Sequence, residues 1–212
     1  NKGFVVVENI QNNLSLPMVI SHRFRKQENT WPCFQVGLGI VTINQTKEQY
    51  SWNSFKNSIE TGLEIFNNTD PSLINSVKDT LSVSLRYQDA FFPDKTEDIE
   101  LFLAENFNIN FGLPSSFLDN SNLNGKHHSV NFNVEVGLEN PKGMVIITIT
   151  KAIINDKPGL IMETVVHSKF KDIINHDTKS TALIEWAEQA HEIQKHAFKT
   201  IINPSAYKAS KV

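Results

Sequence analysis

Histidines, one arginine and a tyrosine are the residues whose types and spacing could do chemistry in this chain. His191-Glu192-Ile193-Gln194-Lys195-His196 has the flavour of a helical zinc site, in which two histidines four apart share a face and a Glu between them acts as base. Here they are five apart. At about 100° per residue the second imidazole is turned roughly 140° from the first, so the pair cannot easily chelate one ion. His191 instead borders an apolar helical stripe, where it can bond Glu188 one turn back. Lys126-His127-His128 is a second histidine pair, set in a polar stretch with no cysteine or carboxylate to complete a ligand set. His22, His167 and His176 fall on separate segments.

Arg86 should point away from the apolar face Leu81–Tyr87, next to Asp89. A guanidinium on a sheet surface pairs with such a carboxylate or with one on a partner, and the Asp89 pair is the reading favoured here. Arg86, Tyr87 and His191 would form a pocket if they met in one cavity. There is no GxSxG elbow, P-loop or dinucleotide fingerprint, and Gly37-Leu38-Gly39 lies inside a strand-like run, where it marks a bulge or close packing. No cofactor or metal site is therefore expected. Arg23, Arg25 and Lys26 form the densest basic cluster, yet the formal net charge is -3 and no aromatic series or recognition helix accompanies them. Nucleic acid ranks last among partner classes.

The elements that must position these residues are legible from periodicity. Strict alternation runs through Leu81-Val83-Leu85-Tyr87 and through Val130-Phe132-Val134-Val136-Leu138, placing every second side chain on one face of a strand. Phe34-Val36-Leu38-Ile40 forms another row, Met18-Ile20-Phe24 a weaker one, and 143–153 and 160–170 two more. Glu139-Asn140-Pro141-Lys142-Gly143 and Asn155-Asp156-Lys157-Pro158-Gly159 supply turns, so the last three strands should form an antiparallel meander. Trp52, Phe55, Ile59, Leu63 and Phe66 make one helical stripe over about 51–67, with Ser51 as its cap. A short helical turn is expected after Asp70-Pro71, and Asp94-Lys95-Thr96-Glu97 resembles a capping box before Ile99, Phe102 and Leu103. The longest helix covers about 178–199, with Trp186, Ala190 and Ile193 on its stripe and Pro204 beyond its end.

The expected fold class is α+β: antiparallel sheet or sheets of about six or seven strands, packed by two main helices. Val36-Gly37-Leu38 and Val136-Gly137-Leu138 sit at similar strand positions, which hints at two related halves, 1–105 and 129–212, within a single domain. A long loop, 106–128, joins them and carries Phe107, Phe111 and Phe117. Its aromatics either dock a partner or fill a groove in the core, the second being favoured. Because the chain opens on Asn1 and soon reads as a strand at Phe4–Val7, a preceding N-terminal segment is expected.

Pro32 through Asn44 (PCFQVGLGIVTIN), Tyr50-Ser51-Trp52-Asn53-Ser54-Phe55, Leu85-Arg86-Tyr87-Gln88-Asp89, and His191 with Phe198 and Ile201-Ile202 resemble a sporadically distributed, uncharacterised prokaryotic α+β family. The resemblance spans most of residues 16–202 and implies fold and prokaryotic origin, with no activity to carry over. Gln88 departs from the apolar residue that the pattern has there.

One cysteine, Cys33, excludes an internal disulfide and fits a reducing, cytoplasmic setting. No run nears the ~18 apolar residues needed to span a bilayer, so no membrane partner is expected. With 40% hydrophobic and 20% charged residues the chain is globular, and no catalytic motif is assembled. The functional expectation is a non-catalytic interaction module that binds a protein partner or itself through a sheet edge, the Phe-bearing loop or its C-terminal end. The alternative is a small-molecule-binding or enzymatic domain with a pocket between sheet and C-terminal helix. Arg86, Tyr87, His191, Phe107, Phe111 and Phe117 are the candidate contact residues.

Overall fold

The computed structural model describes residues 5–9, 20–46, 50–69, 79–93, 99–109, 114–122, 131–174 and 179–204. The segments expected after Asp70, at Asp94–Glu97, at Met18, at His127-His128 and at His176 lie outside the described residues, as does Phe111. The chain is α+β, with two antiparallel sheets and their helices in two compact units. One unit holds the described residues before position 78 together with 179–184, and the other holds those from 78 to 177 and from 185 onward.

The first sheet runs in sequence order: β1 (Val5–Asn9), β2 (Ile20–Arg25), β3 (Cys33–Gly37) and β4 (Ile40–Asn44). The row Phe34–Ile40 is thus two strands instead of one. Leu38-Gly39 is the turn between them, with Gly39 at φ 72 and nothing within 4 Å of where its Cβ would stand. Gly39 therefore serves backbone conformation, not close packing or a bulge. Phe24, Phe34 and Ile43 stand in one row across β2, β3 and β4. Helix α1 (Trp52–Thr69) begins where expected, because the Ser51 hydroxyl accepts the Ser54 N–H at 3.2 Å. It meets the sheet at Gly62, where a Cβ would come within 2.5 Å of Ile43 Cδ1 and 2.9 Å of Phe34 Cε1.

The second sheet has the order β5 (Ser82–Phe91), β8 (Lys157–Lys169), β7 (Lys142–Ile154), β6 (Phe132–Glu139). The expected meander is β6-β7-β8, and β5 joins it beside β8. The two sheets thus differ in strand order, the first strand of one lying beside its second and that of the other beside its last. The β7–β8 hairpin is closed by Asn155 and Asp156 at φ 50 and 62, between the paired Ile154 and Lys157. Two successive left-handed residues make a turn whose twist matches the strands it joins. The described residues beyond β5 also form α2 (Ile99–Asn106), α3 (Ser115–Leu118), α4 (Phe170–Ile173) and α5 (Lys179–Ile201), of which the residues up to Ile184 belong to the first unit.

Within the second unit, alternation buries Leu85 and Phe91 of β5, Val145, Ile147 and Ile149 of β7, and Leu160, Met162, Thr164, Val166 and Ser168 of β8. Trp186, Ala187, Ala190 and Ala197 of α5 are buried as well, and the Trp186 indole N–H donates to Ser168 Oγ at 2.9 Å. Gly143 makes room for that hydroxyl, since a Cβ there would collide with the His167 carbonyl and approach Ser168 Oγ.

Two substitutions test this packing. Gly62→Val should lower the urea midpoint by an amount equivalent to about 1–3 kcal/mol through overpacking against Phe34 and Ile43. An unchanged midpoint would mean that α1 does not rest on those side chains. Asp156→Gly should raise stability by about 0.5 kcal/mol, because glycine adopts the left-handed conformation without a Cβ penalty; a fall in thermal midpoint would contradict the turn geometry.

Candidate functional site

Tyr87 and His191 meet within the second unit. Tyr87 lies on β5 between the buried Leu85 and Phe91, and His191 lies one residue past the buried Ala190 of α5. The Tyr87 hydroxyl is 2.9 Å from His191 Nδ1, and the ring centroids are 5.8 Å apart. Partial burial pushes the His191 pKa below its ordinary value, with Glu192 opposing and Lys195 adding to the shift. The lowered pKa favours the neutral ring, whose Nδ1 can accept the phenol proton in the tautomer that leaves that nitrogen bare. His196 is exposed, as the five-residue spacing requires.

Arg86 is not part of this contact. As the next residue along an extended strand it faces the other way, with Ser84 and Gln88. Nor is Asp89 its partner: three positions separate them, an odd number, so the two side chains leave opposite faces of β5. The carboxylate that Arg86 reaches is Glu163 of β8, whose Oε2 is 3.6 Å from Arg86 Nε and accepts Gln88 Nε2 at 2.7 Å. Gln88 is directly opposite Glu163 in register, which explains a polar residue at that position. On the same face Ser84 Oγ lies 2.8 Å from His167 Nδ1. Sequence reasoning missed both cross-strand pairs, because neither can be seen before the register of β5 on β8 is known. Arg86 is 64% exposed, so its ion pair adds little stability.

The aromatics of the long loop divide. Phe107 is 2% exposed and packs edge-on to Phe91 and Phe102, with centroids 5.1 and 6.4 Å away. It is a core residue and cannot act as a docking contact. The Asn108 N–H donates to the Ile201 carbonyl at 2.7 Å and the Asn203 N–H to the Asn106 carbonyl at 2.9 Å, so the ends of α2 and α5 are tied together around it. Asn203 Nδ2 and Asn108 Nδ2 donate to the Glu105 and Thr200 carbonyls. These bonds satisfy carbonyls that a helix end leaves without intrahelical partners. Phe117 of α3, by contrast, is 55% exposed.

The sheet edge is the remaining candidate. β6 pairs with β7 along its whole length with no register shift, and no described strand pairs with its far side. Its Val136 is 50% exposed, although it continues the apolar row of Phe132, Val134 and Leu138. Among the described residues no group of three or more His, Cys, Asp or Glu side chains could hold a metal ion, and no helix is long and apolar enough to cross a membrane.

Comparison with protein-family models, curated proteins and solved structures finds no match to this chain.

His191 sets a pH dependence whose sign follows from its shift. A histidine whose folded pKa lies below its unfolded value of 6.5 weakens the fold on protonation. Stability is full above the unfolded value and declines as pH falls through it towards the folded one. His191→Gln should flatten that part of the profile when thermal midpoints are compared at about pH 8 and about pH 5. An identical slope in the variant would remove His191 as its source.

Proposed function

We propose that this chain is a non-catalytic protein-interaction module of a cytoplasmic prokaryotic protein, binding a protein partner or a second copy of itself through the free edge of β6. The observation that carries the reading is the regularity of that edge. An unbulged edge strand presents a row of unpaired N–H and C=O groups, and proteins either blunt such an edge or use it to add a partner strand. β6 has no proline, lysine or bulge to blunt it, and its charges are Glu135 and Glu139. The half-open Val136 adds apolar surface beside the backbone groups, and the exposed Phe117 belongs to the same unit. The separation of Arg86 from Tyr87 and His191 weighs against the ligand-pocket alternative, since the three side chains do not share a cavity wall. The buried Cys33 fits the reducing setting.

A photo-crosslinking residue at position 136 tests the proposal. It should trap a partner of defined mass, or a dimer, while the same residue at Lys157 in the opposite hairpin traps none. Val136→Lys should abolish the product without changing the circular dichroism spectrum. Equal crosslinking at both positions, or none at either from a chain that stays monomeric in light scattering, would defeat it.

A further inference from the structure

We infer that the first unit contains a binding site for an oxyanion, a carboxylate or phosphate group, built around the guanidinium of Arg25. Arg25 closes β2 and is only 8% exposed, with Nε enclosed and without a hydrogen-bond partner. Its described contacts are with neutral side chains. Asn29 Oδ1 accepts from Nη1 at 3.4 Å, and the Trp31 ring lies 5.0 Å from the guanidinium carbon. Among the described residues no carboxylate pairs with it.

A guanidinium stays charged at any physiological pH, and removing a charge from water costs several kcal/mol unless an opposite charge replaces the lost solvation. Stacking on an indole returns part of that cost and holds the cation flat, and with Nε closed to solvent an incoming group would meet the Nη edge. What such an edge matches is a planar pair of oxygens or a phosphoryl group.

The local chain holds the cation in this posture. Thr30 Oγ1 donates to the Gln27 carbonyl at 2.7 Å and accepts the Gln27 N–H at 3.0 Å, closing the 26–30 turn. Asn29, at φ 57, is in the left-handed conformation that asparagine tolerates. That turn delivers both Asn29 and Trp31 to Arg25. Arg23, two residues earlier, is on the same face of β2, and the exposed Lys26 and Glu28 follow in the turn. The 8% of Arg25 still open is the side from which an anion would meet it. This site belongs to the first unit and the β6 edge to the second, so the two readings fail independently.

Thermal midpoints of the intact chain in inorganic phosphate and in acetate, each against sodium chloride at equal ionic strength, test the assignment. Phosphate or acetate should raise the midpoint by several degrees beyond chloride, in a saturating manner, and the more effective ion identifies the ligand group. The shift should vanish in Arg25→Gln and shrink in Arg25→Lys, which keeps the charge but loses the fork. Should Arg25→Gln fail to fold, Arg25→Lys carries the comparison. Tryptophan emission should change with the added anion in the wild type and not in Trp31→Phe. A wild-type midpoint that follows ionic strength alone, or a shift of equal size in the Arg25→Lys chain, would overturn the site.

Discussion

A β-strand turns successive side chains to opposite faces, and this constraint governs every polar contact of the second sheet. β5 sends Leu85, Tyr87 and Phe91 one way and Ser84, Arg86 and Gln88 the other. Its register on β8 then pairs each set with a different neighbourhood. On one face the sheet is polar, with Glu163 held between Gln88 and Arg86 and with His167 beside Ser84. On the other, Ser168 accepts the Trp186 indole N–H and the Tyr87 hydroxyl meets His191 Nδ1. A slip of one residue would exchange the two faces and place charge in the core, so burial specifies the register strongly.

Helix ends impose the second constraint. α2 and α5 stop within hydrogen-bonding reach of each other, and their last carbonyls find donors in Asn108 and Asn203, through both main chain and side chain. The isolated bridge between Phe107 and Ile202 completes the junction, and both residues are buried. Packing at this junction draws the first aromatic of the long loop into the core. Among the described residues of the loop, Phe117 is the large apolar side chain left exposed.

Much of the scaffold was legible because it depends on local physics. Ser51 caps α1 through a bond three residues long, the stripe from Trp52 to Phe66 has helical spacing, and the 139–143 and 155–159 turn residues bracket the β6-β7-β8 meander. The five-residue spacing of His191 and His196 likewise ruled on their faces before any coordinates. Alternation misled at Phe34–Ile40, where a period of two continues in the lettering through a tight turn. Only the backbone conformation of Gly39 divides that run into two strands.

The candidate site was legible in part. Tyr87 and His191 could be singled out as polar groups beside apolar stripes, but their meeting depends on how α5 crosses β5, over a separation of 104 residues. Parity alone could have excluded the Arg86–Asp89 pair. The actual partner, Glu163, is 77 residues away in sequence and becomes a neighbour only through the β5–β8 register.

What the amino-acid order determined by itself was the inventory of elements, their amphipathic faces and the chemistries left without a motif, because propensity, capping and periodicity act over a few residues. Tertiary structure alone decided the strand order β5-β8-β7-β6, the burial of Phe107 and the edge position of β6 among the described strands. Each of those is a contact, or a lack of one, between segments whose proximity no local rule encodes. They arise when apolar faces find one another and exclude water, and that pairing is a property of the folded chain.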